Sequence, residues 1–199
     1  LTGQIVILNG APRSGKSSVA AAIQKASDGI WINLGVDAVM ATTPKQYLPG
    51  IGLRPGGERP DLEPFVVQCY AALFESIAAH TRLGLNVVSD LGIHDGYSQP
   101  LGILADAARR LAGLPVLFVG VKCPIETIMA RRNANPNGYV AGDGVPEPVR
   151  RWQAAVHMPG IYDLEVDTSA MSAEQCADAI REALANPKSP AAFEHLIGA

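Results

Sequence analysis

The chain has 199 residues, enough for one domain with a substantial core, and nearly half of them are hydrophobic against 18% charged. That balance excludes a disordered or nucleic-acid-coating protein, and a formal charge of −3 gives no general attraction for polyanions, so any anion site must be local. Cys69, Cys123 and Cys176 are widely spaced and form no CxxC pair, and His80, His94, His157 and His195 show no ligand spacing. Reduced thiols in a cytoplasmic protein are the expectation, without a disulfide frame or zinc site. No apolar run approaches membrane-spanning length, and the first apolar run reads as a strand, not a signal peptide.

In chain order, short apolar runs at residues 4–8, 30–34, 85–89, 115–121 and 164–166 alternate with helical patterns. This predicts a three-layer α/β/α fold with a central parallel sheet of about five strands, several of them covered on both faces. The first run empties into GAPRSGKS (residues 10–17), a complete GxxxxGK[ST] phosphate loop. A strand delivers the chain to the turn and a helix leaves it, so successive backbone N–H groups and the helix N-terminus form an anion cradle. Gly10, Ala11, Pro12, Arg13, Ser14, Gly15, Lys16, Ser17 and Ser18 are the expected nucleotide contacts. Lys16 would serve the outer phosphates and Ser17 would ligate Mg²⁺.

The second run leads to Leu34-Gly-Val-Asp37. Ligands gather at the carboxyl ends of parallel strands, so Asp37 is the expected acceptor or orienter of a hydroxyl proton. The competing reading makes Asp37 a cap for the helix through Met40. Residues 49–60 (PGIGLRPGGERP) lie in an expected substrate loop, about residues 43–62, with Arg54 as a candidate substrate contact. Val66, Tyr70, Leu73 and Ile77 mark a buried helix face. The third run ends in Ser89-Asp90-Leu91 and lacks the Asp-Glu pair of many hydrolytic ATPases. Asp90 therefore reads as a carboxylate supporting Mg²⁺ or substrate, or as a helix N-cap.

His94 and Asp95 follow closely enough to line an acceptor pocket, although a structural role suits the histidine better. Residues 101–111 form a further helix, and Pro124 opens another at a first-turn position. Residues 133–148 (NANPNGYVAGDGVPEP) lie in an expected lid, about residues 131–150, flanked by Arg131-Arg132 and Arg150-Arg151. One or two of these arginines should close over the transferring phosphoryl group, the others facing solvent. Thr168, in Asp167-Thr168-Ser169, sits near the expected nucleotide base, where an ordinary turn is an equal alternative. Ser172-Ala-Glu-Gln175 has the form of a capping box. Trp31 and Trp152 are read as packing residues, and the aromatic and basic residues show no nucleic-acid stacking pattern. The domain is expected to span residues 1–185. The tail, residues 186–199, packs on the body, meets a partner chain in a homo-oligomer or stays loose.

On these residues the chain resembles the chloramphenicol phosphotransferase family of P-loop kinases, from about residue 5 to residue 184. The resemblance is carried by ILNGAPRSGKSS, LGVDAVM, VVSDLG, LFVGVKCP and YDLEVDTS. It implies a nucleotide-kinase-like core with a lid and ATP-dependent phosphorylation of a small-molecule hydroxyl. The family's catalytic aspartate falls on Asp37, its phosphate-loop Lys and Ser on Lys16 and Ser17, and its lid arginine on Arg132. The sequence departs from the antibiotic-modifying member at residues 135–139, where Asn-Pro-Asn-Gly-Tyr replaces further lid arginines, and in a longer, more basic segment at residues 49–60. Two other classes stay open: a nucleoside monophosphate, shikimate-like or adenylylsulfate-type kinase, and a non-catalytic module that ATP switches. The missing guanine-recognition motif Asn-Lys-x-Asp leans towards ATP over GTP.

Overall fold

A computed structural model describes residues 2–135, 144–187, 189 and 191–197. In chain order the elements are β1 (Ile5–Asn9), α1 (Lys16–Ala26), β2 (Trp31–Asn33), α2 (Val36–Thr42), α3 (Glu63–Arg82), β3 (Asn86–Leu91) and α4 (Ile103–Arg110). They continue with β4 (Val116–Lys122), α5 (Ile125–Ala134), α6 (Glu147–Ala155), β5 (Leu164–Asp167), α7 (Ala173–Ala185) and α8 (Ala192–Ile197). The five strands form one sheet in the order β2-β3-β1-β4-β5, with every pairing parallel.

β1 lies at the centre and is buried throughout, which its unbroken Ile-Val-Ile-Leu run requires. Side chains alternate across the sheet. Ile5 and Ile7 join Val66, Tyr70, Phe74 and Ile77 of α3 in one core, while Val6 and Leu8 join Val19 and Ile23 of α1 and Ile180 of α7 in the other. Each such side chain contributes roughly 1.5–3 kcal/mol by leaving water. The sheet thereby holds the carboxyl ends of β1 and β3 in fixed register, Leu8 opposite Asp90 and Asn9 opposite Leu91.

Several boundaries differ from the sequence expectation. β3 runs on to Leu91 because its pairing with β1 continues to Asn9, so Asp90 is a strand residue and not a helix N-cap. α4 starts at Ile103 because Gly102 takes a left-handed conformation before it, and Pro124 stands just ahead of α5 instead of inside its first turn. The capping box of α7 forms with both reciprocal bonds between Ser172 and Gln175. Helix α8 of the tail packs on the body. Asp163 is buried and accepts from Phe118 N and Ala192 N, both at 2.7 Å, and Phe193 meets Phe118 with ring centroids 5.1 Å apart. Among the described residues, no helix is long and apolar enough to cross a membrane.

Candidate active site

The phosphate loop is held from behind by Asn9. Its amide donates to Val156 O at 2.8 Å and to the Tyr162 hydroxyl at 3.1 Å, and accepts from Ile93 N at 2.7 Å. Burial and the nearby Lys122 push the His157 pKa down to about 4, which favours the neutral ring, and a neutral Nδ1 accepts from the Tyr162 hydroxyl 2.8 Å away. At Gly10 a Cβ would lie 2.6 Å from Val121 O and 2.8 Å from Ser14 Oγ, so only glycine fits the turn. Gly15 starts α1 at φ 94 without any side-chain cap, and the first turn of α1 has no acidic residue. The orphan N–H groups and the helix dipole are thus left for an anion.

Lys16 is half-buried and folds its ammonium onto Ala11 O at 2.9 Å. Desolvation pulls its pKa from 10.5 down to about 8, against the upward pull of Asp90 and Asp37. Ser17 Oγ donates to Asp90 Oδ2 at 2.7 Å. Gly35 makes room for that carboxylate, since a Cβ there would sit 1.7 Å from Asp90 Oδ1. Two hard oxygen donors side by side suit a Mg²⁺ ion that completes its shell with phosphate and water. No cluster of three or more His, Cys, Asp or Glu able to hold a metal occurs among the described residues, so a site of that kind would depend on the bound phosphates.

Asp37 lies exposed in the first turn of α2, a helix that begins without a side-chain cap hydrogen bond. It shares one cavity of about 780 Å³ with Lys16, Ser17 and Asp90. The lining of that cavity divides by chemistry. Arg13, Lys16 and Arg131 are its cations, whereas Val36, Met40, Pro49, Ile51 and Trp152 supply apolar surface. Trp152 packs on Gly92, where a Cβ would meet the indole at 3.0 Å, and meets His94 edge-on at 4.8 Å. His94 is buried, accepts from Gly96 N at 3.2 Å and holds Leu53 O at 2.9 Å, which makes it a structural brace of the cavity wall.

Of the expected site residues, the cavity brings together Asp37, Asp90 and most of the loop from Gly10 to Ser18, whereas Ala11 and Ser14 lie buried beneath. Thr168 Oγ1 donates to Ser14 O and receives Arg131 Nη1 at 3.1 Å, so it ties the phosphate loop to the end of β5. Arg131, whose guanidinium also reaches Arg13 O at 3.2 Å and Thr168 O at 2.6 Å, lines the cavity. Arg132 is not among the lining residues. Arg54 is half-exposed, pairs with Glu58 at 3.3 Å and also lies outside the lining. Residues 136–143, the middle of the expected lid, lie outside the described residues. Sequence reasoning assigns Trp152 to packing and passes over Met40 and Asn9, whereas the structure places Trp152 and Met40 in the cavity lining. Met40 falls one helical turn after Asp37, a spacing that could have placed the two on one face of α2.

A family model described as chloramphenicol phosphotransferase-like protein matches residues 3–185. A candidate O-phosphotransferase of Mycobacterium tuberculosis (strain H37Rv) is 29% identical over 208 aligned residues, covering 98% of this chain and 88% of that one. The APS kinase CysC of Mycobacterium tuberculosis, solved with AMPPNP and APS, superposes with a TM-score of 0.62 at 17% identity, over 93% of this chain and 98% of that one. Shikimate kinase from Acinetobacter baumannii, solved with shikimate, gives 0.61 at 12% identity, over 94% and 96%. At such identities the two structures bear on the fold alone, which is that of the P-loop kinases.

Proposed function

The chain belongs to the chloramphenicol phosphotransferase-like family, and on that premise we propose that it transfers the γ-phosphoryl group of ATP to a hydroxyl of a small uncharged molecule. The reading rests on one observation: Asp37 and Lys16 line the same cavity, with apolar surface on its acceptor side.

The acceptor hydroxyl approaches between Asp37 and the terminal phosphate. Its proton passes to the Asp37 carboxylate as its oxygen bonds to the γ-phosphorus. The bond from that phosphorus to the bridging oxygen breaks, and the electron pair leaves with ADP. The N–H groups of the loop and Lys16 stabilise charge on the phosphate oxygens, and Arg131 lies over the crest of the loop. Mg²⁺, held through Ser17 and Asp90, would neutralise the β- and γ-phosphates. The arginine contributed by the lid is assigned to Arg132 from the resemblance, with Arg131 already at the cavity. Trp152, Ile51 and Met40 would enclose the acceptor's apolar body, and a chloramphenicol-type antibiotic is the first compound to try.

The rival kinases act on acceptors that carry phosphate, sulfate or carboxylate groups, which need a second anion site. Arg54 and Arg59 lie outside the cavity lining and pair at the surface with Glu58 and Asp61, the latter pair at 2.7 Å. On the acceptor side the charged residue lining the cavity is Asp37, a carboxylate, with Asp90 beside Ser17 at the phosphate loop. A panel assay of acceptor-stimulated ADP formation separates the readings. Phenicols and other neutral alcohols are expected to stimulate, and nucleoside monophosphates and shikimate to do nothing. Stimulation by an anionic acceptor would overturn the uncharged class, and an ATP-binding chain that no acceptor stimulates would point to a switching module.

The lowered Lys16 pKa gives a pH signature. Bound triphosphate favours the charged ammonium and raises that pKa, so binding takes up a proton once the free site starts to lose it. Nucleotide affinity is therefore expected to hold below about pH 8 and then to fall by up to about tenfold per unit, measured with AMPPNP by calorimetry. A flat profile between pH 7 and 9.5 would contradict the assignment of Lys16 to the phosphates.

A further inference from the structure

Residues 49–60 look basic on sequence grounds, but their charged side chains pair with other protein groups at the surface. Glu58 is bridged by two guanidinium groups: Arg54 Nε lies 3.3 Å from Oε2, and Arg151 Nη2 of α6 lies 2.8 Å from Oε1. Arg151 Nη1 also donates to Pro55 O at 3.2 Å, and its Nε lies 3.7 Å from Glu147. Gly56 sits beneath this guanidinium at φ 126, and a Cβ there would fall 1.7 Å from Arg151 Nη1. The loop is shaped to let Arg151 lie against its backbone. From the other side, Gly56 N donates to Gly96 O at 2.7 Å and Leu53 O is held by His94.

The residue after Arg151 is Trp152, and Trp152 and Ile51 both line the cavity, one from α6 and one from the loop. We propose that Arg151 and Glu58 form a latch that positions the acceptor wall, holding α6 against residues 49–60 so that Trp152 and Ile51 bound one pocket. Its role as an acceptor wall rests on the phosphotransfer reading, whereas the latch itself does not. Glu58 and Arg151 are not among the residues lining the cavity, so the latch acts on it through Trp152 and Ile51. Arg151 is thereby a positioning residue whose guanidinium is engaged by Glu58 and Pro55 O of the loop.

The test uses the full chain with Trp31→Phe, which leaves Trp152 as the only indole. Glu58→Gln and Arg151→Met are each expected to raise acrylamide quenching of Trp152 by about twofold or more, as a locally opened wall admits the quencher. The double variant should be quenched no more than Arg151→Met alone, because that substitution already removes both the Glu58 contact and the bond to Pro55 O. AMPPNP affinity should stay within about twofold of the parent, a control that also reports an intact fold. Unchanged quenching in both single variants, additive effects in the double, or an equal loss of AMPPNP affinity would each overturn the latch. So would a faster turnover in Glu58→Gln, which would mean that Glu58 withholds Arg151 from the phosphates. Failure of the phosphotransfer reading would show separately, as a parent chain that forms no phosphorylated product while the quenching pattern still holds.

Discussion

Asp37→Asn is expected to lower kcat by about 10²–10⁴-fold, the range spanned by positioned general bases, with nucleotide affinity held within about threefold. The amide keeps the shape and hydrogen-bonding reach of the carboxylate but cannot take the proton from the attacking hydroxyl. Asp37 accompanies the first turn of α2 without forming a side-chain cap, so its replacement costs the helix only a modest interaction with the dipole. A second effect identifies the residue. Asp37 raises the Lys16 pKa, so removing its charge should move the loss of nucleotide affinity to a lower pH than in the parent. Steady-state kinetics with a stimulating acceptor, beside AMPPNP titrations at several pH values, reads both. A variant that keeps near-normal kcat would remove Asp37 from the chemistry.

Lys16→Met is expected to be more damaging to turnover, by at least about 10³-fold, because it deletes a charge aimed at the oxygens where negative charge gathers. Its effect on stability should run the other way. The folded state holds Lys16 with a pKa of about 8, below its ordinary value, so at pH 7 the charged ammonium opposes folding. Folded protein binds fewer protons here than unfolded protein between about pH 8 and 10.5, so this contribution to stability rises with pH across that window. Methionine keeps the volume of the stem and carries no charge. The thermal midpoint of the nucleotide-free variant at pH 7 should therefore equal or exceed that of the parent, while added nucleotide should stabilise it far less. A variant that melts well below the parent would show that the lysine is chiefly a structural support through Ala11 O.

The contrast between these predictions follows what the sequence could and could not reveal. The phosphate loop is legible because its geometry is local: Gly10 and Gly15 are required by close approach and positive φ within a few residues of each other. The sheet is legible because strands covered on both faces need unbroken apolar runs. Asp90 stands out in the sequence as a carboxylate at the end of an apolar run, although its place inside β3 depends on how far β1 extends the pairing.

The acceptor side is less legible. Neighbouring residues of a helix point about 100° apart, so the pair Arg131-Arg132 does not disclose which one reaches the cavity. Trp152 reads as core material, and its exposure to the cavity arises only when α6 is laid beside β3 and the loop after it. Likewise Arg54, Glu58 and Arg59 look like free charges along the chain, whereas folding supplies Glu58 with Arg151 from a distant helix. Long-range pairing of this sort has no periodic signature. It gives residues 49–60, read along the chain as a substrate loop, a partner in α6 that their order does not disclose.

The central claim is that one cavity joins a phosphate loop to a neutral hydroxyl acceptor through Asp37. Its most direct test incubates the chain with ATP, Mg²⁺ and the neutral-alcohol panel and identifies the products by phosphorus NMR and mass spectrometry. An acceptor phosphorylated on oxygen is expected, formed in step with ADP and lost in Asp37→Asn. ADP released without any phosphorylated acceptor, or product formed equally well by Asp37→Asn, would contradict it.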